Sequence, residues 1–183
     1  SGLDRIPEEG PAVLVCNHVS YVDALIIAAA CRRPIRFVMD HAIFRIPVLN
    51  FVFRTGRAIP IASAKENPQL VEKAFEEIAA ALRNGDLIGI FPEGRITDTG
   101  ELYPFRRGIM RLLERTPVPV VPMALQGLWG GFFSRKDGSA MTRPFRRGMF
   151  SKIGLTVGTP LPPSAVTPEG LQAQVLALRG DWQ

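Results

Sequence analysis

Short apolar runs bounded by turn residues alternate along the chain with segments whose apolar residues recur at helical spacing. The apolar runs predict six strands, at residues 12–16, 35–39, 58–61, 87–91, 119–125 and 152–158. The segments with helical spacing predict five helices, at about residues 21–32, 42–53, 68–83, 106–115 and 168–179. This alternation is typical of an α/β protein. We therefore expect one domain over residues 1–183, with a mixed, mostly parallel sheet flanked by helices.

The clearest predicted helix is the one at residues 68–83. Asn67 suits the capping position before the helix, and Pro68 suits its first turn, where a proline costs no hydrogen bond. Gly85 follows a basic last turn, as expected where a helix ends.

Composition narrows the class of protein. The 183 residues are 46% hydrophobic and 21% charged, which fits a globular domain with one sizeable core. The two cysteines, Cys16 and Cys31, are too few for a disulfide framework or a four-cysteine zinc site, so we expect a reducing, cytoplasmic setting. No apolar run reaches the roughly 18 residues of a membrane span. The abrupt start at "SGLDRIP" suggests a domain taken from a longer protein.

The net charge of +5 favours an anionic partner, such as a phosphate-bearing substrate, an acidic carrier protein or an anionic membrane surface. None of the usual sequence motifs of nucleic-acid readers occurs, so nucleic acid is not an expected partner.

The segment "NHVSYVD" places His18 five positions before Asp23, directly after a predicted strand. One interpretation is structural: Ser20 and Asp23 form a capping box, and His18 is a loop residue. The other is chemical: Asp23 holds the imidazole in one tautomer, so that the other ring nitrogen accepts a proton. No G-x-S-x-G elbow is present, so the nucleophile would be a hydroxyl of the substrate. We expect no metal, because His41 is the only other histidine.

A second block, "FPEGR", presents Glu93, Gly94 and Arg95 where a predicted strand ends. Ligands of open α/β sheets collect at this edge, and a guanidinium suits a phosphate. An exposed ion pair on a turn is the alternative. A third block contains Gly56 and Arg57 before a strand, where the end of a helix is an equally natural interpretation.

Taken in order, "NHVSYVD", "GRAIPI", "FPEGR" and "VPVVPMAL" make the chain resemble the glycerolipid acyltransferases of the lysophosphatidic acid acyltransferase type, from about Gly2 to Pro160. The resemblance implies a glycerol-3-phosphate-acyltransferase-like fold and transfer of a fatty acyl group to the free hydroxyl of a lysophospholipid. The donor would be acyl-CoA or acyl-carrier protein, with no bound cofactor. It also implies that His18 is the general base and Asp23 its orienting partner, while Glu93, Gly94 and Arg95 shape the acceptor and phosphate site.

Two departures from the family pattern affect the expected acceptor. The family often has Glu-Gly-Thr-Arg, whereas here Arg95 directly follows Gly94, a variant similar to the branch that acts on lysophosphatidylethanolamine. The family's second block commonly ends in an arginine after the strand, which is missing here. Arg57 or Lys65 would then hold the phosphate instead.

A lysophospholipid acceptor implies a membrane surface, and we expect the domain at the cytoplasmic face of an anionic membrane. The candidate interface residues lie in the segment at 127–136, which combines aromatic and basic side chains: Trp129, Phe132, Phe133 and Arg135. The segment at 41–54 is a second candidate, although a buried helix explains it as well. Two other functions stay open: a thioester hydrolase that uses the same pair, and a non-catalytic module that binds membranes or acyl carriers.

Overall fold

A computed structural model describes residues 1–45, 47–63, 65–130 and 152–182. The strands are β1 Ala12–Cys16, β2 Ile35–Asp40, β3 Ile59–Ile61, β4 Leu87–Ile90, β5 Val120–Gln126 and β6 Gly154–Val157. The α-helices are α1 Asp23–Ala30, α2 Pro47–Thr55, α3 Pro68–Arg83, α4 Gly108–Arg115 and α5 Pro168–Arg179. Short 3-10 helices lie at Leu3–Arg5, His41–Arg45 and Pro163–Ala165. The predicted fold class is confirmed.

The six strands form one sheet in the order β3-β2-β4-β1-β5-β6. Neighbouring strands are parallel except for β5 and β6, which are antiparallel. Strand β1 lies between β4 and β5 and is buried along its whole length. A parallel strand covered on both faces has no solvated side, which explains its continuous apolar sequence.

Alternate residues of β1 enter two separate cores. Val13 and Val15 pack with α3, α4 and α5 on one face of the sheet. Ala12, Leu14 and Cys16 pack on the other face, with α1 and α2. The two-residue period of a strand produces this division. The carboxyl end of β1 is thereby packed inside the core, and the segment with His18 follows it.

Helix α3 begins and ends where its flanking residues predict. The side chain of Asn67 accepts a hydrogen bond from the N–H of Leu70 at 2.9 Å, and Pro68 is the first helical residue. Gly85 follows with φ of 86°, in the left-handed region that glycine adopts without steric cost.

Two predicted helices are corrected. The helix expected at 42–53 is a 3-10 helix, His41–Arg45, followed by α2, which begins at Pro47. A proline suits a first helical turn but not a helix interior. The helix expected from residue 21 begins at Asp23, with Val22 at its cap position.

The two blocks that carry the candidate chemistry follow adjacent strands. His18 lies just after β1, and Glu93 lies just after β4, its parallel neighbour. Both therefore lie at the carboxyl edge of the sheet. Within the described part of the chain, no helix is long and apolar enough to cross a membrane.

Candidate active site

His18 and Asp23 form a hydrogen-bonded pair at the start of α1. Nδ1 of His18 lies 2.9 Å from Oδ2 of Asp23. The carboxylate is fully buried, whereas the histidine side chain keeps 15% of its surface exposed. The geometry places the imidazole between a buried acceptor and the solvent side of the site.

The carboxylate of Asp23 receives further donors from the segment that follows His18. Its Oδ2 accepts the N–H groups of Val19 and Ser20 at 2.6 and 2.9 Å, and its Oδ1 accepts the hydroxyl of Ser20 at 2.5 Å. An oxygen with these donors acts as an acceptor toward the imidazole, so the proton of neutral His18 belongs on Nδ1. Nε2 then carries the lone pair that a general base requires.

The expected capping box is present in only one direction. The side chain of Asp23 accepts the N–H of Ser20, as the acid of a capping box does. The Ser20 hydroxyl, however, donates to the carboxylate and accepts the N–H of Val22 at 3.3 Å. The serine therefore supports the carboxylate, and the structural and chemical interpretations of this segment describe the same hydrogen bonds.

Phe91 fixes the plane of the imidazole. Its ring stacks on His18 with centroids 4.3 Å apart and planes 16° from parallel. Phe91 directly follows β4, so the same neighbouring strand supplies Glu93 and this ring. Sequence reasoning missed Phe91 as a site residue, although its place in the block "FPEGR" puts it at the end of a predicted strand.

Glu93 is buried against the main chain of His18. It is 2% exposed. Its Oε1 accepts the N–H of His18 and its Oε2 accepts the N–H of Tyr103, both at 2.7 Å. Burial raises the pKa of this carboxyl, while the two main-chain hydrogen bonds oppose the rise. Both oxygens are therefore engaged with the protein main chain.

Gly94 and Arg95 follow at the surface of the same turn. Gly94 has φ of 68°, and a Cβ there would lie 2.7 Å from the guanidinium carbon of Arg106. The guanidinium of Arg95 lies 3.5 Å from the centroid of the Tyr103 ring. The Tyr103 hydroxyl in turn donates to Asp98. The guanidinium of Arg106 thus covers Gly94, while that of Arg95 stacks on Tyr103. Sequence reasoning had missed both Arg106 and Tyr103.

Gly56 and Arg57 form the end of α2. The N–H of Arg57 donates to the carbonyl of Arg54 at 3.0 Å, and the N–H of Ala58 donates to the carbonyl of Phe53 at 2.8 Å. This pair of bonds is a Schellman motif, and Arg57 occupies its left-handed position with φ of 52°. The helix-end interpretation of this block therefore describes its main chain.

The structure does not bring Arg57 to the histidine pair. Nε of Arg36 donates to the carbonyl of Arg57 at 3.0 Å, which places Arg57 near the amino end of β2. His18 lies beyond the carboxyl end of β1, at the other edge of the sheet. Lys65 is exposed and follows β3, so it lies at the same edge as His18, with β2 and β4 between.

The burial of Trp129 disagrees with its expected place at a membrane interface. Trp129 is 8% exposed, and its indole covers Gly100, where a Cβ would lie 2.7 Å from Nε1. A ring buried in this way offers no face to a bilayer. The other three candidate interface residues, Phe132, Phe133 and Arg135, lie outside the described residues.

The fold is an α/β domain, and the hydrogen-bonded pair of His18 and Asp23 lies at the carboxyl edge of its sheet. The chain belongs to the acyltransferase family, whose family model, described as Acyltransferase, matches residues 1–126.

Curated relatives agree with that assignment. The chain is 29% identical over 132 residues to a 1-acyl-sn-glycerol-3-phosphate acyltransferase of Borreliella burgdorferi, covering 68% of this chain and 49% of the relative. It is 28% identical over 127 residues to the chloroplastic 1-acyl-sn-glycerol-3-phosphate acyltransferase BAT2 of Brassica napus, covering 69% and 36%. The chain thus spans between about a third and a half of the length of these relatives.

A solved structure shares the fold. The crystal structure of the 1-acyl-sn-glycerophosphate (LPA) acyltransferase PlsC from Thermotoga maritima superposes with a TM-score of 0.70 at 21% identity. The match covers 96% of this chain and 67% of that one.

Proposed function

We propose that this domain transfers a fatty acyl group from a thioester to the free hydroxyl of a lysophospholipid. The donor is acyl-CoA or acyl-carrier protein, and the acceptor is lysophosphatidic acid or lysophosphatidylethanolamine. One observation carries the proposal: Nδ1 of His18 is held by a buried, multiply hydrogen-bonded Asp23, which leaves Nε2 to act as a base. The relatives are 1-acyl-sn-glycerol-3-phosphate acyltransferases by name, which supports the reaction type.

The proposed reaction is a direct transfer within a ternary complex. Nε2 of His18 removes the proton of the acceptor hydroxyl as its oxygen attacks the thioester carbonyl. Asp23 stabilises the imidazolium that forms. The C–S bond then breaks as the C–O ester bond is completed, and the departing sulfur takes the proton from His18. No acyl group is attached to the protein in this sequence.

Two guanidinium groups near the turn after β4 support binding of a phosphate at this edge of the sheet. Arg95, which follows Gly94 on the turn that also carries Glu93, stacks on Tyr103, and the guanidinium of Arg106 covers Gly94. A guanidinium offers planar, paired donors that match phosphate oxygens. Arg57 lies at the other edge of the sheet from His18, so Arg95 is a stronger candidate than Arg57 for binding the phosphate. Lys65 remains a candidate, because it lies at the same carboxyl edge of the sheet as His18.

We propose that the domain acts at the cytoplasmic face of an anionic membrane. The net charge of +5 favours such a surface. Phe51 on α2 is 74% exposed, and Arg54 is exposed one turn further on. An aromatic side chain next to a cation suits the boundary between head groups and acyl chains.

The test is thioester consumption by the purified chain with product analysis, using acyl-CoA and acyl-carrier protein as donors and a panel of lysophospholipids as acceptors. The proposal expects a diacyl product whose formation depends on the acceptor. Free fatty acid released at an equal rate with and without acceptor would make the domain a thioester hydrolase. Binding to liposomes with no thioester consumed would make it a non-catalytic module.

A further inference from the structure

The carboxylate of Glu93 joins two loops that are far apart in the sequence. One oxygen accepts the N–H of His18 and the other accepts the N–H of Tyr103, each at 2.7 Å. At 2% exposure the side chain has little surface for a substrate. A buried carboxylate is costly unless its oxygens are hydrogen-bonded, and here both oxygens receive main-chain donors.

The main chain of His18 is held from both sides by the segment after β4. Its N–H donates to Glu93, and its carbonyl accepts the N–H of Thr97 at 3.0 Å. Thr97 is itself 2% exposed. Its hydroxyl donates to the carbonyl of Glu101 at 2.7 Å and accepts the N–H of Gly100 at 3.0 Å. The base therefore sits on a main chain that a second, internally bonded loop clamps.

The other oxygen of Glu93 leads to the candidate phosphate side of the site. The N–H that it accepts belongs to Tyr103, and the ring of Tyr103 carries the guanidinium of Arg95 at 3.5 Å. One carboxylate thus connects the residue that carries the base with the residue that supports a cation. A side chain at position 93 that cannot accept at both positions therefore breaks the connection between the two residues.

We propose that Glu93 is a positioning residue, which fixes His18 and Tyr103 relative to each other so that the base meets the hydroxyl of an acceptor held at Arg95. The inference rests on the proposed function, and it differs from the expectation that Glu93 itself contacts the acceptor. It assigns the carboxylate an action through two main-chain N–H groups.

The kinetic test compares Glu93→Gln with the parent domain and with Val175→Ala. The amide of Gln matches the carboxylate in shape, but its NH₂ faces one of the two N–H groups and loses that bond. Val175 is fully buried in α5, so its variant controls for lost stability away from the site. We expect kcat to fall about 10- to 100-fold in Glu93→Gln, with the acceptor KM within about twofold, because a small misplacement of a base slows the chemical step.

Two kinetic results would overturn the proposal. A raised acceptor KM with kcat unchanged would mean that Glu93 binds the acceptor directly. A loss of activity in Glu93→Gln no larger than that in a Val175→Ala control of equal thermal stability would mean that Glu93 acts only on stability.

A second measurement needs neither a variant nor activity. In the ¹⁵N-labelled parent domain, the amide resonances of His18 and Tyr103 should move with one common pH midpoint, that of the carboxyl they share. Burial raises the pKa of Glu93 above 4.5, so this midpoint should lie above that value. Separate midpoints, or a Tyr103 amide that does not titrate, would refute the link. If the parent domain consumed no thioester, the proposed function would fail while this measurement still decided the positioning role.

Discussion

Nδ1 of His18 lies 2.9 Å from Oδ2 of Asp23, and the same carboxylate accepts main-chain N–H groups of the loop between them. The aspartate therefore holds both the ring and the loop that carries it. A loop folded around its own orienting carboxylate keeps the base in place without help from a substrate.

Asp23→Asn should lower kcat by roughly 10³- to 10⁴-fold, the scale seen when a histidine base loses its orienting carboxylate. The neutral amide accepts more weakly and can also present its NH₂ to the loop N–H groups. We expect the free energy of unfolding to fall by roughly 2–3 kcal/mol, since a hydrogen bond to a charged group is worth that much. Turnover and chemical denaturation measure the two effects.

Ser20→Ala is the matched control for that variant. It removes the bond to Oδ1 and leaves the bond between Nδ1 and Oδ2 in place. Its kcat should fall about tenfold or less. If both variants lost the same activity, orientation of the ring by Asp23 would not explain the effect.

The stability of the domain should report the protonation of Glu93. Its folded pKa lies above the ordinary value of 4.5 because the carboxyl is buried, so the native state binds this proton more tightly than the unfolded state. Its contribution to stability is therefore fully present below pH 4.5 and is lost as the pH rises through the folded pKa. The parent domain should lose stability relative to Glu93→Gln over this window, by at most about 1.4 kcal/mol per pH unit. Denaturation of both proteins across this pH range measures the two free energies of unfolding. A parent domain whose stability stayed constant or rose relative to that of Glu93→Gln would contradict the assignment.

Arg95→Gln should raise the KM for the lysophospholipid about 10- to 100-fold, because a charged hydrogen bond to phosphate is lost. The KM for the thioester should stay within about twofold. The control is Arg111→Gln on α4, whose guanidinium pairs with Glu72 and covers the ring of Phe75 at 4.5 Å. Equal effects of both variants on the acceptor would indicate general electrostatic attraction and not a site at Arg95.

Arg57→Gly should raise the free energy of unfolding by about 1 kcal/mol. Among the described residues, Arg57 is the non-glycine residue with positive φ, a conformation that costs an L side chain about that much. Thermal or chemical denaturation measures the gain. A destabilised variant would show that contacts of the arginine side chain outweigh the relief of backbone strain, and a raised acceptor KM would return Arg57 to the phosphate site.

The fold was largely predictable because its local signals are strong. Helix α3 was predicted at its observed bounds, since Asn67 and Pro68 mark its start and its apolar residues keep one period. The helix at 42–53 was predicted as one element and is divided before Pro47, where the proline outweighs the continuous apolar pattern. Local rules fix where most elements begin and end.

The site was predictable only where its contacts are local. His18 and Asp23 are five residues apart, so their pairing follows from the turn between them. The bond from the N–H of His18 to Glu93, and the stacking of Phe91, join segments that meet only when β1 and β4 become neighbours. Spacing along the chain carries no information about that adjacency.

The most direct test of the central claim is the turnover of His18→Ala, measured as acceptor-dependent thioester consumption beside the parent domain. The control is His41→Ala, which replaces the other histidine of the chain, located just after β2. If His18 is the general base, His18→Ala folds with an unchanged circular dichroism spectrum and loses turnover, by roughly 10²-fold or more, while His41→Ala retains it. Full turnover in a folded His18→Ala would contradict the account.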